Sequence, residues 1–157
     1  MITQSDTKQR LDTAVARFTT TLQDRVEKVC WKHAEITRAH VVIDINTQKA
    51  NGAHVVPDGA TGRRLHIPSP PGGPPNADTG RLSASYTTTI RSYTRYHIAA
   101  AVVAGTIYAF WLEFGTLKLL PRPHLMPRFR EQKKAFRADL NQAVKDAASK
   151  AKSGRKR

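Results

Sequence analysis

The chain has 157 residues, 39 % of them hydrophobic, a mean hydropathy of -0.48 and a formal net charge of +14. That length suits one domain with a modest core and arms outside it. No apolar run approaches the ~20 residues of a membrane span, and the lone Cys30 excludes an intrachain disulfide and a cysteine-based zinc site. The opening MITQSDTKQR has no apolar signal-peptide core, so synthesis in the cytoplasm without export is expected. The charge favours polyanions or acidic protein surfaces as partners. It is concentrated from Lys118 to Arg157, where thirteen Lys and Arg stand against Glu131, Asp139 and Asp146.

Residues 5 to about 38 read as one helix, because Leu11, Val15, Phe18, Leu22, Val26 and Val29 follow steps of three and four. Ser5 or Asp6 is placed to cap it. HVVIDIN (40–46) then switches to β-branched residues and predicts a strand. GAHVVPDGATGRRLHIP predicts two short strands around a Pro-Asp-Gly turn, an exposed hairpin or mobile flap. PSPPGGPPNADTG (68–80) is an extended connector, since proline denies it helix or central strand. DTGRLSAS opens a short helical turn with Asp78 or Thr79 as cap. YTTTIRSYTRY and HIAAAVVAG predict an antiparallel pair turning near residues 95–97. TIYAFWLEFG fits a strand or a short helix. Gly115 at its end favours the helix, with Tyr108, Leu112 and Trp111 sharing a face. A second long helix is predicted from near Pro127, with Phe129, Phe136, Leu140 and Val144 close to one face, and SGRKR is a basic tail at about 151–157. The sum is an α+β chain of one domain: a small antiparallel sheet against a long N-terminal and a long C-terminal helix, with a hairpin and loop insertion at about 50–80.

Few residues form a constellation with chemistry. Glu113 stands in an apolar run with no acid near it in sequence, so a helix-end carboxylate bonded to backbone amides or an arginine is favoured over catalysis. The histidines 33, 40, 54, 66, 97 and 124 show no metal-ligand spacing, although His54 and His66 face each other in the predicted hairpin. Most are expected at the surface or in strands. GATG (59–62) lacks the phosphate-cradling form, and no GxSxG is present. Cys30 reads as a semi-buried small hydrophobe. No catalytic residue, cofactor or metal is expected. In the C-terminal helix Arg128, Arg130, Lys133, Lys134, Arg137 and Lys145 spread around most of the circumference, which permits phosphate contact but no base-specific reading.

Two segments together resemble a known family. PSPPGGPPNADTGRLSASY resembles a Pro-Gly-Pro-Pro…Thr-Gly-Arg-Leu-x-x-Ser segment, and YAFWLEFGTLKLLPRPHLMP is similar to a Tyr-Ala-x-x-Leu/Val-Glu-Phe-Gly-Thr…Arg-Pro-Phe-Leu-x-Pro segment. Both belong to the tail-completion, or neck, proteins that join heads to tails in long-tailed phages. The likeness covers about residues 68 to 150; His124 stands where the family usually has Phe. The resemblance implies a non-enzymatic virion protein without cofactor, forming a ring, commonly sixfold, at the head–tail junction. Its partners would be copies of itself, the connector, adaptor or stopper proteins, the tail tube and, non-specifically, DNA in the channel. In that setting Tyr108, Trp111 and Phe114 belong to a packed aromatic helix, Gly115 reverses the chain, and Pro121 and Pro123 stiffen the joint before the basic helix. Glu113 and Arg122 are candidates for a polar lock within or between subunits. Arg128, Arg130, Lys133, Lys134 and Arg137 are candidates for the channel or for docking.

Two other readings compete. One is a free-standing nucleic-acid-binding protein acting through the basic helix. The other is a small nuclease using Glu113 with Asp58 or Asp78, which lacks a visible acid cluster.

Overall fold

The computed structural model describes residues 4–47, 55–57, 64–66, 69–77, 79–94 and 97–153. Helix α1 is Gln4–Thr47, strands β1 and β2 are Val55–Pro57 and Arg64–His66, and α2 is Arg81–Ala84. Strands β3 (Tyr86–Thr94) and β4 (His97–Ala104) follow, then α3 (Tyr108–Phe114) and α4 (Leu125–Ser153). The α+β class holds: a small antiparallel sheet packs against long N- and C-terminal helices. β1 pairs with β2 antiparallel, Val55 opposite His66 and Pro57 opposite Arg64. β3 pairs with β4 in a second two-stranded sheet. His54, Asp58, Asp78 and the tail from residue 154 lie outside the described residues, as do the two predicted hairpin turns.

The predicted strand at 40–46 is helix, the last turns of α1. Val41, Ile43 and Ile45 would share one face of a strand. Instead Val41 and Ile45 are 0 % exposed and Ile43 is 56 % exposed, which is the helical period. Burial of the i, i+4 pair outweighs the modest helix penalty of β-branched residues. α4 begins two residues earlier than predicted, with Pro127 inside its first turn, where a missing N–H is harmless. α2 has Gly80 at its N-cap position with φ 77°, and the expected cap Thr79, one residue earlier, accepts from Arg81 N–H through its Oγ1 at 3.4 Å.

The chain divides into two compact units. The first comprises residues 1–32, 90–100 and 134–157. Here α1 and α4 run antiparallel, since Arg25 meets Asp146 at 2.6 Å and Lys32 meets Asp139 at 2.8 Å, equal steps of seven in opposite directions. Ala143 and Ala147 are buried on α4, while Phe136 and Leu140 are half-buried. The predicted face is thereby corrected: Phe129 and Val144 are exposed. On α1 Phe18, Leu22, Val26 and Val29 are half-buried, but Leu11 and Val15 are exposed. The same register would set α1 opposite the end of α4 near Phe18, so the earlier turns continue the apolar stripe beyond the partner that would cover it. Burial, and then Glu27, push the Cys30 thiol above its ordinary pKa, which disfavours the thiolate.

The second unit comprises residues 33–89 and 101–133 and holds the main core. Val41 and Ile45 of α1, Ala77, Leu82 of α2, Tyr86 of β3 and Ala109 of α3 form one cluster. Val102 and Ala104 of β4 and Leu125 of α4 pack against it. Ala77 N–H donates to Ile45 O, tying the connector to the end of α1.

Ile45→Ala should lower unfolding stability by about 2–4 kcal/mol, whereas Ile43→Ala should change it by less than about 0.5 kcal/mol. Urea denaturation checks both. Equal losses would contradict the helical assignment of 40–46.

Candidate functional site: a carboxylate-capped joint

α4 starts after Pro123 and His124 with no Ser, Thr, Asp or Asn to close its first turn. The first donors of a helix need acceptors from somewhere. Glu113 of α3 supplies them. Its Oε2 accepts from His124 N–H at 2.9 Å and Leu125 N–H at 3.0 Å, and its Oε1 accepts from Met126 N–H at 2.9 Å. The next residue, Pro127, has no N–H to satisfy. The carboxylate also lies at the positive end of the α4 dipole. Glu113 is itself buried. Its backbone-amide partners are those favoured from sequence, and they lie within the same chain.

Residues 121–123 form a strap held on both sides. Arg122 N–H donates to Leu112 O at 2.6 Å, closing the end of α3. Gly72 N–H donates to Pro121 O at 3.0 Å, and Arg122 Nε donates to Ser69 O at 2.9 Å. The pairing of Glu113 with Arg122 therefore takes another form. Both grip this joint, but Glu113 binds backbone amides and Arg122 binds a backbone carbonyl. Pro123 is half-buried and Pro121 is exposed.

Gly115 reverses the chain at φ 77°, and its N–H donates to Trp111 O at 2.8 Å. A Cβ there would sit 2.8 Å from Leu119 O and 3.1 Å from Pro121, so the turn requires glycine twice over.

His124 is buried, against the expectation of surface histidines, and so is His33, whose Nδ1 lies 3.2 Å from Gln132 Oε1. His124 Nδ1 faces two acceptors, Arg122 O at 2.9 Å and Glu113 Oε2 at 3.1 Å, so Nδ1 carries a proton. Nε2 lies 2.5 Å from the Tyr86 hydroxyl, which donates to it in the neutral imidazole. Burial first, then Glu113 and Tyr108, push the Tyr86 phenol well above its ordinary value. The hydroxyl thus keeps its proton. Sequence reading left Tyr86 unassigned; the signal was a predicted helix start without a capping residue, beside a His inside an apolar segment.

α3 has two different faces. Tyr108 and Leu112 pack on the core. Ile107, Phe110, Trp111 and Phe114 are exposed, with the Phe110 and Phe114 rings 4.9 Å apart. Trp111 thus leaves the buried face assigned to it from spacing. Leu117 and Leu120, in the loop after Gly115, are exposed too.

The basic residues of α4 are also sorted. Arg128 is engaged: Nε and a terminal nitrogen bind the two Asp44 oxygens at 2.5 and 2.6 Å, and the other binds Glu131 at 2.7 Å. The hydrogen bond to Asp44, then that to Glu131, raises its pKa further. Arg128 is removed from the docking candidates on that ground. Arg130, Lys133, Lys134 and Arg137 are exposed at i, i+3, i+4 and i+7, with Lys145 close to the same line. These exposed ones lie close to one line of the helix, since Arg128 is drawn to Asp44, and exposed Glu131 stands beside them.

Among the described residues no group of three His, Cys, Asp or Glu side chains stands together as a metal site. No family model matches the chain. No curated protein matches it, and no solved structure does.

Glu113→Ala should cost about 2–3 kcal/mol, because three donors lose a charged acceptor. Amide hydrogen exchange at His124, Leu125 and Met126 should accelerate more than at mid-α4; unchanged exchange would refute the capping role. Tyr86→Phe should cost about 1 kcal/mol at neutral pH. The raised phenol pKa makes its contribution fully present below its ordinary value of 10.0 and weaker as pH rises beyond it. Stability measured from pH 8 to 11 should therefore fall less steeply in Tyr86→Phe than in the parent.

Proposed function

We propose that this chain is a structural protein of a long-tailed phage virion, a subunit of a ring at the head–tail junction that joins the tail to the head connector. The reading rests on the resemblance of its two segments to the neck and tail-completion proteins. The observation that carries it is that these segments, far apart in sequence, join at one tightly bonded joint. Ser69 and Gly72 of the first hold Arg122 and Pro121 of the second, and Glu113 fixes the start of α4. His124, where the family usually has Phe, retains the buried ring and adds a bond to Tyr86.

A ring subunit needs a fixed angle between its parts, because angular error accumulates around a closed assembly. The joint supplies such a constraint. The bare face of Ile107, Phe110, Trp111 and Phe114 suits contact with a neighbouring copy or another neck protein. The basic stripe on α4 suits an acidic connector surface or channel DNA. The ring is commonly sixfold in the resembled family, and the protein would act without catalysis or a cofactor.

Electron microscopy of lysates from a phage lacking this gene tests the proposal. Filled heads beside unjoined or over-long tails are expected; normally joined particles would overturn it. Glu113→Ala and Arg122→Ala should each reduce ring assembly in size-exclusion chromatography.

The α4 stripe favours one second reading, a basic protein that binds nucleic acid by itself. That reading expects tight binding to duplex DNA at low salt and a steep linear fall of log affinity with log salt. The stripe variant Lys133→Gln/Lys134→Gln/Arg137→Gln should reduce that slope.

A further inference from the structure

Beneath the inner face of α3 lies a recess of about 230 Å³, lined among others by Ser69, Arg81, Leu82, Tyr108, Leu112 and Arg122. Its polar groups are incompletely used. Ser69 is 3 % exposed, and its Oγ has no hydrogen-bond partner among the described residues. Buried hydroxyls are nearly always bonded, so an orphan on a residue that lines a cavity points to a ligand group that completes it. Arg122 uses Nε on Ser69 O, and its two terminal nitrogens bond to no described residue. Arg81, at the start of α2, is exposed. Among the described lining residues two are cationic and none is anionic.

We propose that this recess binds the carboxylate of an acidic side chain presented by a protein partner. The arginine fork matches a carboxylate with parallel N–H donors, and Ser69 Oγ is a further donor. Leu82 and Leu112 offer apolar surface to an aliphatic stem behind the charge. A glutamate side chain combines these two features. A DNA phosphodiester does not, because chain continues from both sides of the phosphate and neither side is an aliphatic stem. An acidic partner also matches the net charge of +14. The inference does not depend on the phage assignment; it requires only the recess.

The test uses the full chain, titrated with glutarate and separately with inorganic phosphate at constant ionic strength, and read by proton–nitrogen NMR. Glutarate should give saturable shifts at the Ser69 and Leu82 amides and the Arg122 Nε–H, with half-saturation on the order of 1–10 mM. Arg81→Gln and Ser69→Ala should each raise that concentration about threefold or more. Ser69→Ala should leave the melting temperature unchanged or raised, because it deletes an unpaired hydroxyl. Linear shifts without saturation, indifference to both substitutions, or tighter binding of phosphate than of glutarate would overturn the proposal.

Discussion

A helix that begins without a capping side chain of its own must take its acceptors from elsewhere, and α4 takes both from Glu113. Three amide donors converge on one buried carboxylate, and the fourth position is a proline with nothing to donate. A charged acceptor is stronger than a neutral one, and at a helix start the macrodipole adds to it. The consequence is mechanical. The direction of the first turns of α4 is tied to α3, and through Arg122 and Pro121 to the 69–72 segment. Remove the carboxylate, and three partly buried donors lose their acceptor together.

The same economy shapes the charged surface. Most of the excess positive charge lies in the last quarter of the chain. The acids there are few, and two of the three face α1, while Glu131 is exposed and pairs with Arg128. Asp139 and Asp146 pair with α1, while Arg128 is drawn to Asp44. What remains outside is a line of Arg130, Lys133, Lys134 and Arg137. Partly exposed pairs of this kind contribute little stability individually. Their larger effect is to sort charge around the helix, leaving Arg130, Lys133, Lys134 and Arg137 together outside the pairs. Such a basic group opposes its own kind and attracts acidic surfaces.

Much of this was legible in the sequence. The long helices, the β3–β4 pair and the short aromatic helix ending at Gly115 followed from periodicity and turn residues. The backbone-amide partners of Glu113 were legible in kind, since a lone acid in an apolar run is either satisfied locally or catalytic, and no second acid stood near. Three things were not legible. HVVIDIN carries strand propensity, and only the core that receives Val41 and Ile45 decides for helix. The stripe on α4 was hidden because Arg128 could not be set aside until Asp44 was placed beside it. The bond between Tyr86 and His124 joins residues 38 apart, beyond the reach of any local pattern.

The arrangement around α3 shows why these features belong together. A seven-residue helix is too short to be stable alone. It is held by Tyr108 and Leu112 against the core, by Arg122 at its end, and by the capping contact of Glu113. With those three restraints its outer face is free to carry Phe110, Trp111 and Phe114 to solvent. An apolar face on a floppy element would collapse onto the nearest core. On a helix pinned from within it stays presented at a fixed angle to the start of α4. Rigid presentation lowers the ordering cost of any association through that face. The buried polar joint and the exposed aromatic face are thus two sides of one helix, and the first makes the second usable.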